Sequence, residues 1–252
     1  MIKLLATDLD GTLLEENSMT KRNKDAVNKL QNLGRLLVIA TGRPYNGVKI
    51  IKDEYNIRAN YFILLNGALI VDSLGSKIMQ KIIKKGIIKE ILSKINSDDI
   101  AISVESGFNT YLLNDGDNLP YPRKIRVNSI DEIDEDLSLI SIYSPNKNID
   151  KIEKLKNEIN EEFKDEIIAY RNDVYIDIVP KGCSKGEGVK FIAAQEDVNM
   201  KNIYTIGDSW NDVSMFDVTE NSFTFDYVEK ELKNHANYIV TSVAHCIEDY
   251  IL

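Results

Sequence analysis

The 252 residues suffice for one large domain or two modest ones, and a 43% hydrophobic content supplies real cores. A net charge of -9 argues against a nucleic-acid binder, whose affinity rests on basic residues, and offers nothing to an anionic membrane surface. No apolar run is long enough to span a bilayer and the chain enters its first strand without a signal pattern, so the cytoplasm is the expected location.

The first apolar run, Lys3 to Ala6, has the length of a buried strand and ends in Thr7-Asp8-Leu9-Asp10-Gly11-Thr12. Side chains alternate along an extended backbone, so Asp8 and Asp10 can leave the strand tip on one side. At about 4 Å and an effective dielectric near 20 their repulsion is roughly 4 kcal/mol, which calls for a cation between them or a proton on one. Thr20 is placed to cap a helix with Ala26, Val27, Leu30 and Leu33 on its stripe and Gly34 at its end. Arg35 to Ala40 reads as a parallel strand apolar on both faces. It ends in Thr41-Gly42-Arg43-Pro44, with Pro44 suited to the first turn of the next helix. A Thr41 hydroxyl beside turn N–H groups can grip a phosphate oxygen, or it can serve only as a cap; Arg43 reads as structural.

Tyr61 to Leu65 is a third strand, Asn66-Gly67 a tight turn into Ala68 to Val71, and Lys77 to Ile83 a further strand. From about residue 86 to 179 the pattern becomes that of an α+β unit with its own sheet. Its clearest helix is Lys151 to Phe163, with Ile152, Leu155, Ile159 and Phe163 on one stripe and Asp150 with Glu153 spaced as a capping box. The acidic run 131–136 and Lys81, Lys84 and Lys85 read as solvated surface. Tyr121-Pro122-Arg123-Lys124-Ile125-Arg126 reads as a rigid surface loop or as cations aimed at an anionic substrate.

After Pro180 comes a glycine-rich helix entry, Lys181 to Gly188, whose spacing does not match a nucleotide P-loop; Lys185 within it is placed to neutralise a phosphate. The strand Asn202 to Ile206 then ends in Gly207-Asp208-Ser209-Trp210-Asn211-Asp212. A helical turn after Asp208 would bring Asp212 round to the same face, with Trp210 packing between. Cys183 and Cys246 have no partners at zinc spacing and read as ordinary thiols. With only His235 and His245, a multi-histidine metal site is nearly excluded, leaving carboxylates, lysine, hydroxyls and a hard metal for any catalysis.

Asp8-x-Asp10-Gly11-Thr12, Thr41, Lys185, and Asp208 with Asp212, in that order and each at the edge of a strand or helix, resemble the motifs of the haloacid dehalogenase superfamily, and in particular its Cof-type phosphatases (subfamily IIB, C2-capped). The resemblance includes Asn66-Gly67-Ala68 and departs at Phe225-Asp226-Tyr227-Val228, where such proteins usually carry Met-Gly-Asn-Ala. It implies an α/β fold: a Rossmann-like parallel-sheet core, residues 1–80 and 181–252, with an α+β C2-type cap, 81–180, inserted between.

The resemblance further implies that Asp8 is the nucleophile, forming an aspartyl phosphate, and that Asp10 is the acid and base. Mg2+ would be held by the carboxylates of Asp8 and Asp208 and the backbone carbonyl of Asp10. Thr41, the N–H groups of Gly42 and Leu9, Lys185 and Asn211 would hold the phosphoryl oxygens, with Asp212 orienting metal-bound water or Lys185. Charge counting agrees: a phosphate dianion among ionised Asp8, Asp208 and Asp212 needs more than Lys185 to balance it, and an all-oxygen ligand set suits magnesium. Asp10 must enter protonated, which a crowd of carboxylates would favour. The expected substrate is a small phosphorylated metabolite, by resemblance a sugar phosphate, with Glu105, Arg126 and Asp177 as contacts to test in the cap. A phosphomutase using the same intermediate, or a non-catalytic metabolite-binding regulator, remains an open alternative; the chain is expected to be a monomer or small homo-oligomer.

Overall fold

The computed structural model describes residues 2–16, 18–95, 100–114, 124–172 and 174–252. In chain order its main elements are β1 (Leu4–Thr7), α1 (Lys21–Asn32), β2 (Leu36–Ala40), α2 (Tyr45–Asp53), β3 (Tyr61–Leu64), β4 (Leu69–Asp72), β5 (Lys77–Gln80) and α3 (Lys85–Lys94). There follow β6 (Ala101–Glu105), β7 (Thr110–Leu112), β8 (Lys124–Arg126), β9 (Leu139–Tyr143), α4 (Ile149–Glu162), β10 (Ile167–Asn172) and β11 (Tyr175–Pro180). The chain closes with α5 (Lys185–Gln195), β12 (Ile203–Ile206), β13 (Ser222–Phe225) and β14 (Tyr238–Val240), separated by short helical turns.

The strands form two sheets. One has eight strands in the order β14-β13-β12-β1-β2-β3-β4-β5, parallel from β14 through β3 and antiparallel at β4 and β5. The parallel strands are apolar on both faces because both are covered. Alternation sends Leu5, Leu37 and Ile39 to one side, against Val27 and Leu30 of α1 and Ile51 of α2. Leu4, Ala6 and Val38 go to the other, against Val189, Ile192 and Ala193 of α5. β1 lies at the centre with β2 and β12 on either side, so the chain's beginning and its last third meet there.

The second sheet, β10-β11-β9-β6-β7-β8, is antiparallel except for the parallel pair β7 and β8. Ile140, Ile142, Ile176 and Ile178 pack on Ile88 and Ile91 of α3 and Ile152 and Ile159 of α4. The alternate residues form polar rows: Asp177 pairs with Ser141 and Ser141 with Ser103, while Tyr175 pairs with Tyr143. That polar face turns toward the first sheet, where Asp177 meets Asn66.

Several local expectations are corrected. Pro44 is the N-cap of α2 and not part of its first turn; the helix starts at Tyr45, whose N–H is taken by the Gly107 carbonyl. α4 is capped by Asn148, which accepts from the Lys151 N–H, and not by an Asp150–Glu153 box; Glu153 is drawn to Lys156 and Arg171. β5 stops at Gln80 and does not reach Ile83, whose N–H goes instead to the Leu137 carbonyl. Leu33, expected on the apolar stripe of α1, is exposed as the residue that ends that helix. The Thr20 cap forms as expected, accepting from the Asn23 N–H. Tyr121, Pro122 and Arg123 lie outside the described residues, and Arg126 is exposed on β8.

Candidate active site

β1 and β12 run in register, Thr7 beside Ile206, so Asp8 and Asp208 leave neighbouring strands at the same edge. The Asp8 N–H extends the ladder to the Ile206 carbonyl at 2.9 Å. Carboxylate oxygens of Asp8, Asp208 and Asp212 all lie within 4.8 Å of one another. Into this group α5 projects Lys185, only 2% exposed, whose Nζ donates to Asp8 Oδ1 and Asp212 Oδ1, both at 2.6 Å. The other oxygen of Asp212 accepts from the N–H groups of Asp208 (3.0 Å) and Ser209 (2.9 Å). Asp212 is thereby saturated by its own turn and by Lys185, and serves to hold both.

The turn after Asp10 closes over Asp208. Thr12 Oγ1 donates to Asp208 Oδ1, and Gly11 adopts φ +81 with its Cα so near that a Cβ would lie 2.3 Å from Asp208 Oδ2. No side chain fits there, and a left-handed backbone suits glycine in any case. Tyr227, from the segment after β13, donates its hydroxyl to the Gly11 carbonyl.

Burial raises the pKa of Asp8 well above its ordinary value; Lys185 opposes this, and Asp212, Asp208 and Asp10 add to it. Asp208 is raised by burial and then by Asp212. Burial alone would lower Lys185, but the charges of Asp212 and Asp8 outweigh it and hold the ammonium protonated. Negative charge therefore exceeds what Lys185 balances, and the crowded oxygens of Asp8 and Asp208 form a hard donor set that fits a divalent ion such as Mg2+.

Asp10 is not part of that crowd. Its carboxylate, 46% exposed, is gripped by the Arg43 guanidinium through Nε at 2.7 Å and through Nη2, while Arg43 Nη1 holds the Gly47 carbonyl. Arg43, read from the sequence as structural, ties Asp10 to the start of α2. Nothing in Thr-Gly-Arg-Pro tells that the Asp10 side chain turns toward it.

Thr41 is buried at the end of β2, its hydroxyl accepting from the Arg43 N–H at 3.2 Å. Beside it, a Cβ on Gly42 would come within 2.9 Å of Asp177 Oδ2. Asn66, in a left-handed conformation after β3, donates to Asp177 Oδ2 (2.8 Å) and accepts from Asn211 Nδ2 (3.1 Å); Ser141 donates to Asp177 Oδ1 (3.1 Å). A hydrogen-bonded row thus runs from Asn211 to the polar face of the second sheet, and the buried Asn211 Oδ1 has no partner among the described residues. Burial raises the Asp177 pKa, against the Asn66 and Ser141 hydrogen bonds and the Lys185 charge. Glu105, in contrast, is buried within the second sheet and holds Thr110 and Ser103.

A third cluster ties that sheet to the Asp208 loop. Arg171 of β10 meets both oxygens of Glu229 at 3.1 Å, its guanidinium lies 5.9 Å from the Trp210 ring, and Trp210 Nε1 donates to Glu229 at 2.9 Å. Trp210, expected only to pack, is also a donor.

The chain is 30% identical over 270 residues to M6_Spy0533 of Streptococcus pyogenes serotype M6, covering 100% of this chain and 99% of that protein. A haloacid dehalogenase-like hydrolase from B. subtilis superposes with a TM-score of 0.88 at 24% identity, covering 99% of this chain and 100% of the other. The HAD subclass IIB sugar phosphatase BT4131 gives 0.80 at 19%, covering 96% and 94%. With the model of the haloacid dehalogenase-like hydrolases matching residues 5–246 and the converging strand ends as described, this chain belongs to that family.

Proposed function

We propose that the protein is a Mg2+-dependent phosphatase that hydrolyses a small phosphorylated metabolite with a polyhydroxylated, sugar-like leaving group. The observation that carries this reading is Lys185 bridging Asp8 and Asp212 while Asp208 crowds Asp8 from the adjacent strand. Asp8, Asp208 and the Asp10 carbonyl would hold the ion, which supplies Lewis-acid neutralisation of the phosphoryl group when bound. Lys185, Thr41, Asn211 and the Leu9 and Gly42 N–H groups would grip the phosphoryl oxygens, Asn211 turning its amide N–H from Asn66 to do so.

Asp8 attacks phosphorus, and the ester P–O bond breaks as Asp10 gives its proton to the departing alkoxide. Asp10 then takes a proton from water, the resulting hydroxide attacks phosphorus, and the bond to Asp8 breaks to release inorganic phosphate. For this Asp10 must leave the Arg43 fork that holds both its oxygens. Residues 81–180 act as the cap that excludes water and meets the leaving group. Their inward row of Ser103, Ser141 and Asp177, with Tyr143 and Tyr175, offers hydroxyls, a carboxylate and ring faces, which suits a polyol. The sugar phosphatase among the structural neighbours supports the same class.

Purified protein should release inorganic phosphate from a generic aryl phosphate and from some members of a sugar-phosphate panel, with chelation or Asp8→Asn each abolishing turnover. Retained turnover in Asp8→Asn would overturn the reading. Isomerised sugar phosphate in place of free phosphate would assign a mutase.

A further inference from the structure

The segment that departs from the family's pattern, Phe225-Asp226-Tyr227-Val228, continues β13 to the same edge as Asp8 and Asp208, since β13 runs parallel beside β12. Tyr227 has one face fixed and one free: its ring stacks on the buried Phe225 at 5.0 Å and 14°, while the residue remains 62% exposed. Surface packing alone would explain the ring. It does not explain the hydroxyl, which donates to the Gly11 carbonyl.

That peptide is the one that lies against Asp208. Gly11 approaches Asp208 too closely to carry a side chain, its N–H closes the turn onto the Leu14 carbonyl at 2.8 Å, and its neighbour Thr12 donates to Asp208 Oδ1. The phenol is near enough to the cluster for burial, and then the charges of Asp208, Glu15 and Asp8, to raise its pKa. A turn held from Tyr227 on one side and from Asp208 on the other has little freedom, and its position fixes where Asp208 can point.

We infer that Tyr227 is a positioning residue for the metal site: by anchoring the Gly11 carbonyl it locks the Asp10–Thr12 turn against Asp208 and so sets the spacing between the Asp208 and Asp8 carboxylates. This rests on the reading that those carboxylates hold Mg2+. Groups that orient ligands from outside the coordination shell commonly contribute on the order of 10–100-fold to metal affinity.

The test is Tyr227→Phe, which keeps the stacked ring and deletes one hydroxyl, beside Tyr227→Ala, which deletes both. Mg2+ binding to the full chain is measured by calorimetry in the absence of substrate, with thermal melting of the metal-free protein and phosphatase kinetics at varied Mg2+. The expected result for Tyr227→Phe is a rise of about tenfold in the Mg2+ dissociation constant. Its metal-free melting point should match wild type, and much of its lost kcat should return at saturating Mg2+. Tyr227→Ala should show the same loss of affinity and a lower melting point. Wild-type Mg2+ affinity in Tyr227→Phe, with only Tyr227→Ala impaired, would reduce the residue to surface packing and overturn the inference. Failure of the wild-type protein to bind Mg2+ at all would overturn both this inference and the metal reading beneath it.

Discussion

Lys185 shows how a residue ordinarily found in water is kept in a core. A buried ammonium costs several kcal/mol, which only well-placed opposite charges offset, and here two carboxylates meet it at 2.6 Å. Asp177 is the opposite case, a buried carboxylate whose hydrogen bonds from Asn66 and Ser141 do not fully replace water, so its pKa is raised from 3.8. The sign follows directly. The folded chain binds this proton more tightly than the unfolded one, so the group costs nothing below its ordinary pKa and destabilises increasingly as pH rises through the raised value. Asp177→Asn keeps the acceptor for Asn66 and removes the charge. It should raise the melting temperature at neutral pH, with the gain vanishing below about pH 4; a constant gain at all pH values would contradict the assignment.

Among the elements, α5 is the most constrained, because it must bring Lys185 to the strand edge while packing closely on its neighbours. A Cβ on Gly186 would lie 1.9 Å from the Ser214 carbonyl oxygen, and one on Gly188 would lie 2.6 Å from Ile63 Cγ2. The helix therefore approaches backbone on one face and β3 on another. Gly186→Ala must push α5 away from the turn that carries Asp212. The expected cost is about 1–3 kcal/mol in urea unfolding, together with lost turnover because Lys185 moves with the helix. Wild-type kinetics in that variant would show that the helix can shift without disturbing the site. The Thr-Gly-Arg-Pro turn shows a further constraint: Pro44 caps α2 because the first N–H of the helix, on Tyr45, is taken by Gly107 of the second sheet. That tertiary contact overrides the usual preference of proline for the first turn.

At the scale of the whole molecule, the proposed metal site would couple folding to a cation. At a hundred times its dissociation constant, Mg2+ should stabilise the fold by about 2.7 kcal/mol. Because burial and mutual repulsion raise Asp8 and Asp208 in the metal-free protein, ion binding must release protons, and affinity should tighten as pH rises. Melting curves with and without Mg2+ should separate more at pH 8 than at pH 6. Equal separation at both would show that binding displaces no proton, and no separation at either would show that the chain binds no Mg2+. The two sheets are also joined through polar contacts, Arg171 to Glu229 and Asn66 to Asp177.

How much was legible depends on the range of the interactions. Asp8, Lys185, Asp208 and Asp212 could be picked out from the chain alone, because each sits where an apolar run or a glycine-rich turn breaks, and strand and helix periods are local properties. The alternating burial that built the parallel sheet was readable for the same reason. The contacts of Arg43, Asn66, Thr12 and Tyr227 were not legible, since each is made with a partner distant in sequence: Asp10, Asp177, Asp208 and Gly11 respectively. The sequence by itself determined the strand ends, their acidic and basic groups and the order in which they occur. Only the tertiary structure decided that Asp10 turns away to Arg43 and that the polar row of the second sheet meets Asn66 through Asp177, because those choices are made by packing between elements and by charges that meet only once the chain is folded.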